Sequence, residues 1–582
     1  MEWGKMLVSP DDVIEEIRPG MSVFLSTGAA EPRTLVKQLM AAHSANLQDL
    51  ELIQLVSFAD AISLKNLQSQ KFRLKTFFSG WVADEEITAG RVDLIPCCLS
   101  RIPELLEKRK IRVDIVFVQI TPPDKDGYSS LGVSVDVARL AMDQANLVVG
   151  EINTRVPRTL GDTFVRISDF DMLVQSDESP VYFERSPPEP VYDLIADNIE
   201  QLIEDQSCIA FSLGPLFEAV SRSLSRKQHL GIHSPFFSDA LMDLVKSGAV
   251  TNRYKELFKR KSITSYACGT AELFKWLDQN PSVEFQPVDK VFDPLSIGRN
   301  PCFVAIISAR RADITGRIAL HTGLGNVASG PAEVLAFVNG AQISEGGYTI
   351  FGLPSRNRHG TANITTTIEG LKNRVDFREA VDYVVTEFGV ASLKGLTLRE
   401  RAQTLIEIAH PDDRVELIAA AKRENILYRD QIYLAESVRN FPSHINECHQ
   451  FKSGVEIRFR PIRPSDEEEM RRLFYRFSDK SVYYRYFSAL RAMPHTRMQT
   501  YVNVDWNDVM SIVGIVPDKE LLSPKRDTSW SQTVSGPKSH LSWTNLIKTS
   551  GFPPIFSIFS SGWPKKKVSR VFGLTYSFPT LP

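Results

Sequence analysis

Ile111-Arg-Val-Asp-Ile-Val-Phe-Val-Gln-Ile120 is a short run rich in β-branched and aromatic residues that stops at Thr121-Pro122-Pro123. Its length suits a strand, its apolar content suits burial, and the prolines end it because they cannot continue a hydrogen-bonded ladder. Shorter runs of the same kind occur at Val23–Ser26, Asn146–Val149, Cys208–Phe211, Phe303–Ser308 and Tyr383–Val385, each bounded by Gly, Pro or Asp and separated by stretches of helical periodicity. Buried strands with helical connections point to α/β layers from the start of the sequence to about residue 440. Thr397-Leu398-Arg399-Glu400 has the pattern of a capping box, and Ala402, Leu405, Ile406 and Ala409 continue it at helical spacing until His410-Pro411.

The 582 residues hold 68 basic and 70 acidic side chains, a net charge of −2, which gives no global field for nucleic acid or an anionic membrane. At roughly 100–200 residues per domain, three or four domains are expected. The first residues carry Asp11, Asp12, Glu15 and Glu16 where a secretion signal would need basic and then apolar residues. No apolar run approaches the roughly 18 to 20 residues of a membrane span. The six cysteines include one adjacent pair, Cys97-Cys98, and no CxxC, a pattern that fits a reducing cytoplasm without structural zinc.

Near residue 450 the pattern changes. Val455–Arg460 alternates like an exposed strand, Pro464-Ser465-Asp466 offers a helix cap, and Glu467–Phe477 reads as an amphipathic helix. After Glu520 acidic residues almost vanish and periodicity is lost, so residues 517–582 are expected to be a disordered or frameshifted tail, with Val513–Val516 a strand leading nowhere.

Chemistry-bearing motifs are sparse. Gly323-Leu-Gly325-Asn-Val-Ala328 is a weak match to a dinucleotide loop and reads better as a turn. Ser344-Glu345-Gly346-Gly347 has a hydroxyl and a carboxylate but no adjacent His or Lys to activate the serine. His233, His359 and His410 have no partner at metal-ligand spacing and read as structural or surface residues; no metal site is expected. No Gly-x-Ser-x-Gly elbow is present, which argues against the usual serine hydrolases.

Five stretches taken together resemble one family: Pro122-Pro-Asp-Lys-Asp-Gly-Tyr-Ser-Ser-Leu-Gly-Val-Ser134, Glu151-Ile-Asn153, Leu230-Gly-Ile-His-Ser-Pro-Phe-Phe-Ser-Asp239, Asp382–Ala391 and Ile408-Ala-His-Pro-Asp412. They resemble the acetyl-CoA hydrolase and acyl-CoA:carboxylate CoA-transferase family, which includes 4-hydroxybutyrate and succinyl-CoA:acetate enzymes. The resemblance implies two related α/β domains, residues 1–225 and 226–440, with the active site in the cleft between them, and coenzyme A or an acyl-CoA as substrate or ligand. It also implies a small carboxylate as partner and is compatible with a homo-oligomer. In such enzymes a glutamate attacks the thioester, forms an acyl anhydride and then a glutamyl-CoA thioester, and passes CoA to another carboxylate or to water; fixed donors hold the oxyanions. That glutamate follows Gly-Ile-His-Ser, and here the position is Pro235, which has neither a carboxylate nor an N–H.

Two further positions depart from the family. Its asparagine falls on Ile307, before Ser308-Ala309, and its Gly-Gly-Gln after Ser329-Gly330 falls on Ala332-Glu333-Val334. The resemblance assigns CoA contacts to Ser212 and Gly214 in Ser212-Leu213-Gly214-Pro215-Leu216, to Gly330, and to Gly346 and Gly347, and it makes Glu387 the catalytic candidate. Glu272 and Asp239 are the acids considered as substitutes for the missing nucleophile.

Arg460-Pro-Ile-Arg-Pro-Ser-Asp466, Tyr483–Ser488 and Val504–Met510 resemble the beginning of a GNAT N-acetyltransferase, an α+β module over residues 455–516. A GNAT fold implies acetyl-CoA bound at a helix N-terminus and a protein lysine as substrate, yet no Arg/Gln-x-x-Gly-x-Gly/Ala turn follows Val516. Two readings stand: a CoA-transferase or hydrolase, and an acyl-CoA-binding regulatory protein coupled to a lysine acetyltransferase.

Overall fold

The run that ends at Ile120 forms a strand over Ile115–Ile120 with all six residues buried. The four residues ahead of it stay outside the strand, and there the Asp114 carboxylate accepts from Ser22 N and Oγ, both at 2.9 Å, tying the strand entrance to its neighbour. The structure, a computed structural model, describes residues 2–56, 71–78, 84–187, 189–320, 332–371, 374–375, 378–432, 434, 447–450, 456–486, 490–506, 511–515 and 555–558. The chain divides into two units, Met1–Gly395 and Leu396–Pro582.

In the first unit, β1 (Ser22–Leu25), β2 (Leu50–Ile53), β3 (Phe72–Thr76), β4 (Val92–Leu94), β5 (Ile115–Ile120), β6 (Leu147–Asn153) and β7 (Met172–Ser176) form one parallel sheet in the order β7-β6-β5-β1-β2-β3-β4. The chain runs outward from β1 to β4, then returns to the other side of β1 at β5. That reversal creates a crevice at the carboxyl ends of β1 and β5, the place where open α/β sheets bind ligands. Helix α1 (Arg33–Ala41) buries Leu35, Val36 and Leu39 among Val23, Leu25, Leu52, Leu74 and Phe117. Each such side chain contributes on the order of 1.5–3 kcal/mol on burial.

The second sheet repeats this plan. Strands β8 (Cys208–Ala210) and β9 (Gly231–Ile232) flank helix α2 (Pro215–Leu224); β10 (Phe236–Phe237), helix α3 (Asp239–Lys246) and β11 (Tyr266–Ala267) follow. Then come β12 (Phe303–Asp313), helix α4 (Ala332–Ile343), β13 (Tyr348–Gly352), β14 (Tyr383–Thr386) and β15 (Gly389–Ser392). The main path is β9-β8-β12-β13-β14-β15, parallel except for the β14–β15 hairpin. Here the reversal lies between β8 and β12. The boundary expected at residue 225 falls inside this sheet, because α2 joins two of its strands; periodicity identifies elements but not the sheet they pair into. The halves share apolar packing, in which Ala29, Ala30, Val133 and Val135 join Phe237, Ala267 and Phe285, and Val135 N–H donates to Ser265 O at 3.2 Å.

In the second unit the expected capping box is present: Thr397 Oγ1 accepts from Glu400 N at 3.3 Å and Glu400 accepts from Thr397 N at 2.7 Å, opening α5 (Leu398–Glu407). Helix α6 (Pro411–Arg423) follows. Strands β16 (Glu447–Gln450), β17 (Glu456–Pro461), β18 (Ile512–Ile515) and β19 (Ile555–Ile558) make an antiparallel sheet in chain order. Helices α7 (Glu467–Arg476), α8 (Asp479–Tyr486) and α9 (His495–Val502) lie between β17 and β18 in the chain and supply Met470, Leu473, Phe474, Val482, Met498 and Val502 to its core. Glu407 of α5 accepts from Ser465 N at 2.7 Å and Ser465 Oγ at 2.8 Å, which ties α5 to the loop before α7 within the second unit. The strand expected to lead nowhere pairs on both sides, with β17 and β19. The rest of the expected tail lies outside the described residues.

Candidate active site

The carboxyl edge of the second sheet holds Ser212, Gly214 and Glu387 together with the Pro235 and Ile307 positions. Ser212 and Gly214 follow β8 at the reversal, and Gly214, at φ 124°, turns the chain into α2; a side chain would be strained there. His233, Ser234 and Pro235 follow β9. Ile307 and Ser308 lie in β12, where Ile307 is buried. Glu387 follows β14 and accepts from Ser355 N at 2.8 Å and Ser355 Oγ at 2.5 Å.

The segment around Pro235 is locked by its neighbours. Ser234 Oγ accepts from Phe211 N at 3.1 Å and donates to Phe211 O at 2.8 Å, joining the ends of β8 and β9. Pro235 O accepts from Thr264 Oγ1 at 3.1 Å. The His233 ring is fully buried, with Nε2 2.9 Å from Val291 O and Nδ1 3.3 Å from Asn300 Nδ2. A carbonyl needs a donor and an amide nitrogen an acceptor, so the ring is neutral with its proton on Nε2. Burial, reinforced by the Lys255 charge, pushes its pKa down to about 3. His233 is therefore structural, as its lack of metal-ligand spacing suggested. Lys255, absent from the sequence reading, is also buried and donates to Ile232 O at 2.8 Å and Lys261 O at 2.7 Å; burial lowers its pKa to about 8. Its stem fills the space that a Gly231 side chain would need.

Neither substitute nucleophile occupies the missing position. Asp239 is buried and accepts from Thr270 Oγ1 at 2.6 Å and Thr270 N at 3.0 Å, fastening α3 to the turn after β11. Glu272 is a surface acid with 71% of its side chain exposed, paired with Lys246 at 2.8 Å. Glu387 sits four strands from β9 in the sheet order, about 19 Å at the usual strand spacing. It cannot stand in the place of Pro235.

Gly346 and Gly347 do not join this edge. They form the turn from α4 into β13, at the amino end of the strands, where Gly347 N donates to Ser344 O at 2.9 Å and Ser344 Oγ donates to Asn300 O at 2.6 Å. A Cβ on Gly347 would lie 2.3 Å from Ala341 O, so close packing accounts for this glycine. The turn expected beside the CoA cleft thus lies at the opposite end of the strands from Ser212 and Gly214. Gly330 and the 323–328 turn lie outside the described residues, and Ala332-Glu333-Val334 opens α4.

The carboxyl edge of the first sheet holds a buried polar network. Gln54, just past β2, donates from Nε2 to Ser26 O at 3.3 Å and Glu31 Oε1 at 3.2 Å. Gln119 of β5 donates to Glu31 O at 3.2 Å and accepts from Asn153 Nδ2 at 2.7 Å. The signal in the sequence was a lone polar residue inside Leu52-Ile53-Gln54-Leu55-Val56. Among the described residues no group of three or more His, Cys, Asp or Glu is placed to hold a metal, and no helix is long and apolar enough to cross a membrane.

Comparison with known proteins agrees with this architecture. The sequence model of the acetyl-CoA hydrolase/transferase N-terminal domain matches residues 1–184, and that of the C-terminal domain matches residues 269–421. The 4-hydroxybutyrate coenzyme A transferase of Clostridium kluyveri is 36% identical over 431 residues, 73% of this chain and 100% of that protein. The succinyl-CoA:acetate/propanoyl-CoA:succinate CoA transferase of Fasciola hepatica is 35% identical over 420 residues, 71% of this chain and 86% of that protein. Among solved structures, RipA from Yersinia pestis superposes with a TM-score of 0.68 at 30% identity, covering 73% of this chain and 98% of that one.

Proposed function

Because the chain belongs to the acetyl-CoA hydrolase/transferase family, we propose that it binds an acyl-CoA thioester at the carboxyl edges of its two sheets and moves CoA between that thioester and a small carboxylate or water. The observation that carries this reading is the repeated sheet reversal, which directs β1 with β5 and β8 with β12 toward ligand crevices. Ser212 and Gly214 stand at the second crevice, and Glu387 stands on the same edge as a polar group for the acyl or acceptor end. Pro235 removes the covalent route through that position, since no carboxylate is available there to form a glutamyl-CoA thioester.

Pro235 favours a second reading, an acyl-CoA-binding regulatory protein without rapid turnover. Calorimetric titration with acetyl-CoA, followed by borohydride trapping and peptide mass analysis, separates the two. Both readings require saturable binding and no adduct in the peptide containing His233 and Pro235. CoA release in the presence of acetate selects the transferase or hydrolase; binding without release selects the regulator. Absence of binding overturns both. For residues 455–516 the GNAT-like reading rests on the strand, helices and strand from β17 to β18, and a lysine-peptide acetylation assay tests it.

A further inference from the structure

One buried acceptor of the network at the first crevice has no donor. Gln54 is 0% exposed, its N–H donates to Lys75 O at 3.1 Å, and its Nε2 serves Ser26 O and Glu31 Oε1. Its Oε1 is buried and meets no donor. Turning the amide over would press Oε1 against two acceptors, Ser26 O and Glu31 Oε1, so the orientation is fixed by the network. The next members hold that network in place: Gln119 spans Glu31 O and Asn153, and Asn153 Oδ1 accepts from Arg155 N at 2.9 Å. A buried acceptor without a donor is costly, and a fold that positions one at a sheet reversal has reserved it for a partner from outside the chain.

We propose that Gln54 is a ligand-binding residue of the N-terminal crevice, its Oε1 accepting a hydrogen bond from an N–H or O–H group of the bound acyl-CoA. This rests on the reading given under Proposed function and deepens it, since it assigns half of the ligand's recognition to the N-terminal sheet. A CoA thioester offers donors of two kinds: the N–H and O–H groups of the CoA moiety, common to all its esters, and a hydroxyl on the acyl chain, present only in hydroxyacyl esters.

The test is calorimetric titration of the full chain and its Gln54→Met variant with butyryl-CoA and 4-hydroxybutyryl-CoA. Methionine keeps the length and lacks the acceptor. Leaving a ligand donor unpaired in a buried site weakens binding by roughly 10-fold to 100-fold. Equal weakening for both esters assigns the donor to the CoA moiety; weakening for the hydroxy ester alone assigns it to the acyl hydroxyl. Affinities within about twofold of the unmodified protein for both esters overturn the proposal while leaving the acyl-CoA reading intact. Failure of the unmodified protein to bind either ester overturns both. Should Gln54→Met not fold, Glu31→Leu decides: it removes the acceptor that holds the Gln54 amide in its orientation, and unchanged affinity in that variant overturns the proposal.

Discussion

Each half of the first unit buries titratable groups, and two pairs of them shift in opposite directions. In the N-terminal half, burial raises the pKa of Asp136 and of Glu151; in the C-terminal half, burial lowers those of His233 and Lys255. The cause is the same, because leaving water disfavours a charge of either sign and drives each group toward its neutral form. The partners differ accordingly. Glu151 receives Leu35 N at 2.9 Å and Thr34 N at 3.3 Å from the first turn of α1, whereas Lys255 gives its protons to two carbonyls. These two pairs therefore contribute opposite slopes to the pH dependence of stability, which makes the comparison testable one residue at a time.

The largest effect belongs to His233. Its folded pKa of about 3 lies below the unfolded value near 6.5, so the unfolded chain takes up the proton first as pH falls. Stability is fully present above pH 6.5 and is lost progressively toward pH 3, by on the order of 5 kcal/mol at most. His233→Gln keeps a donor for Val291 O and an acceptor for Asn300 but cannot titrate. Denaturant unfolding at several pH values should show a shallower acid limb in the variant, and an unchanged limb would remove His233 from the comparison. Lys255 comes next. With a folded pKa of about 8 it loses its proton before the unfolded chain does, so stability rises between pH 8 and about 10.5 by on the order of 3 kcal/mol. Lys255→Met should abolish that rise.

Glu151 sharpens the contrast with a smaller effect of opposite sign. Its raised pKa means that its contribution is complete below the unfolded carboxyl pKa and is lost as pH rises through the folded one. Relative to the natural chain, Glu151→Gln should gain stability with rising pH over that window, measured by the same unfolding series. A difference that is flat or falls with pH would place the Glu151 carboxylate in a wetter setting than its burial implies.

These buried groups also show what the sequence could and could not reveal. Strand interiors were legible: β1, β5, β8 and β14 lie within or beside the runs read from β-branched residues. By contrast, β6 continues three residues beyond Gly150, through a Gly-Glu-Ile-Asn stretch that resembles a turn until its partners are known. Gly150 packs against Phe170 and Leu173, and Glu151 finds its donors on α1, contacts between residues far apart in the chain. Pro235 was legible as a missing nucleophile because the residues around it carry the family pattern. The amino-end position of Gly346 and Gly347 was not legible, because a glycine pair in a sequence does not state which end of a sheet it occupies. Gln54 and Lys255 escaped notice for a related reason, since a lone polar residue acquires meaning only from the groups that surround it.

The smallest expected effect is the most useful for the missing nucleophile. Glu272 lies in the same half as His233 but at the surface, where its pairing with Lys246 holds the carboxyl below its ordinary pKa. Such a pair contributes stability above the unfolded pKa and loses it as pH falls, but water and salt screen an exposed pair so strongly that little remains to measure. Glu272→Gln should unfold at the same temperature as the natural chain at pH 7 and release CoA from acetyl-CoA at the same rate, whatever that rate is. A fall in CoA release with no change in unfolding temperature would mean that the surface acid reaches the thioester. In that case Pro235 would mark a nucleophile moved within the C-terminal half, and the distinction between a buried, structural edge and an inert surface would fail there.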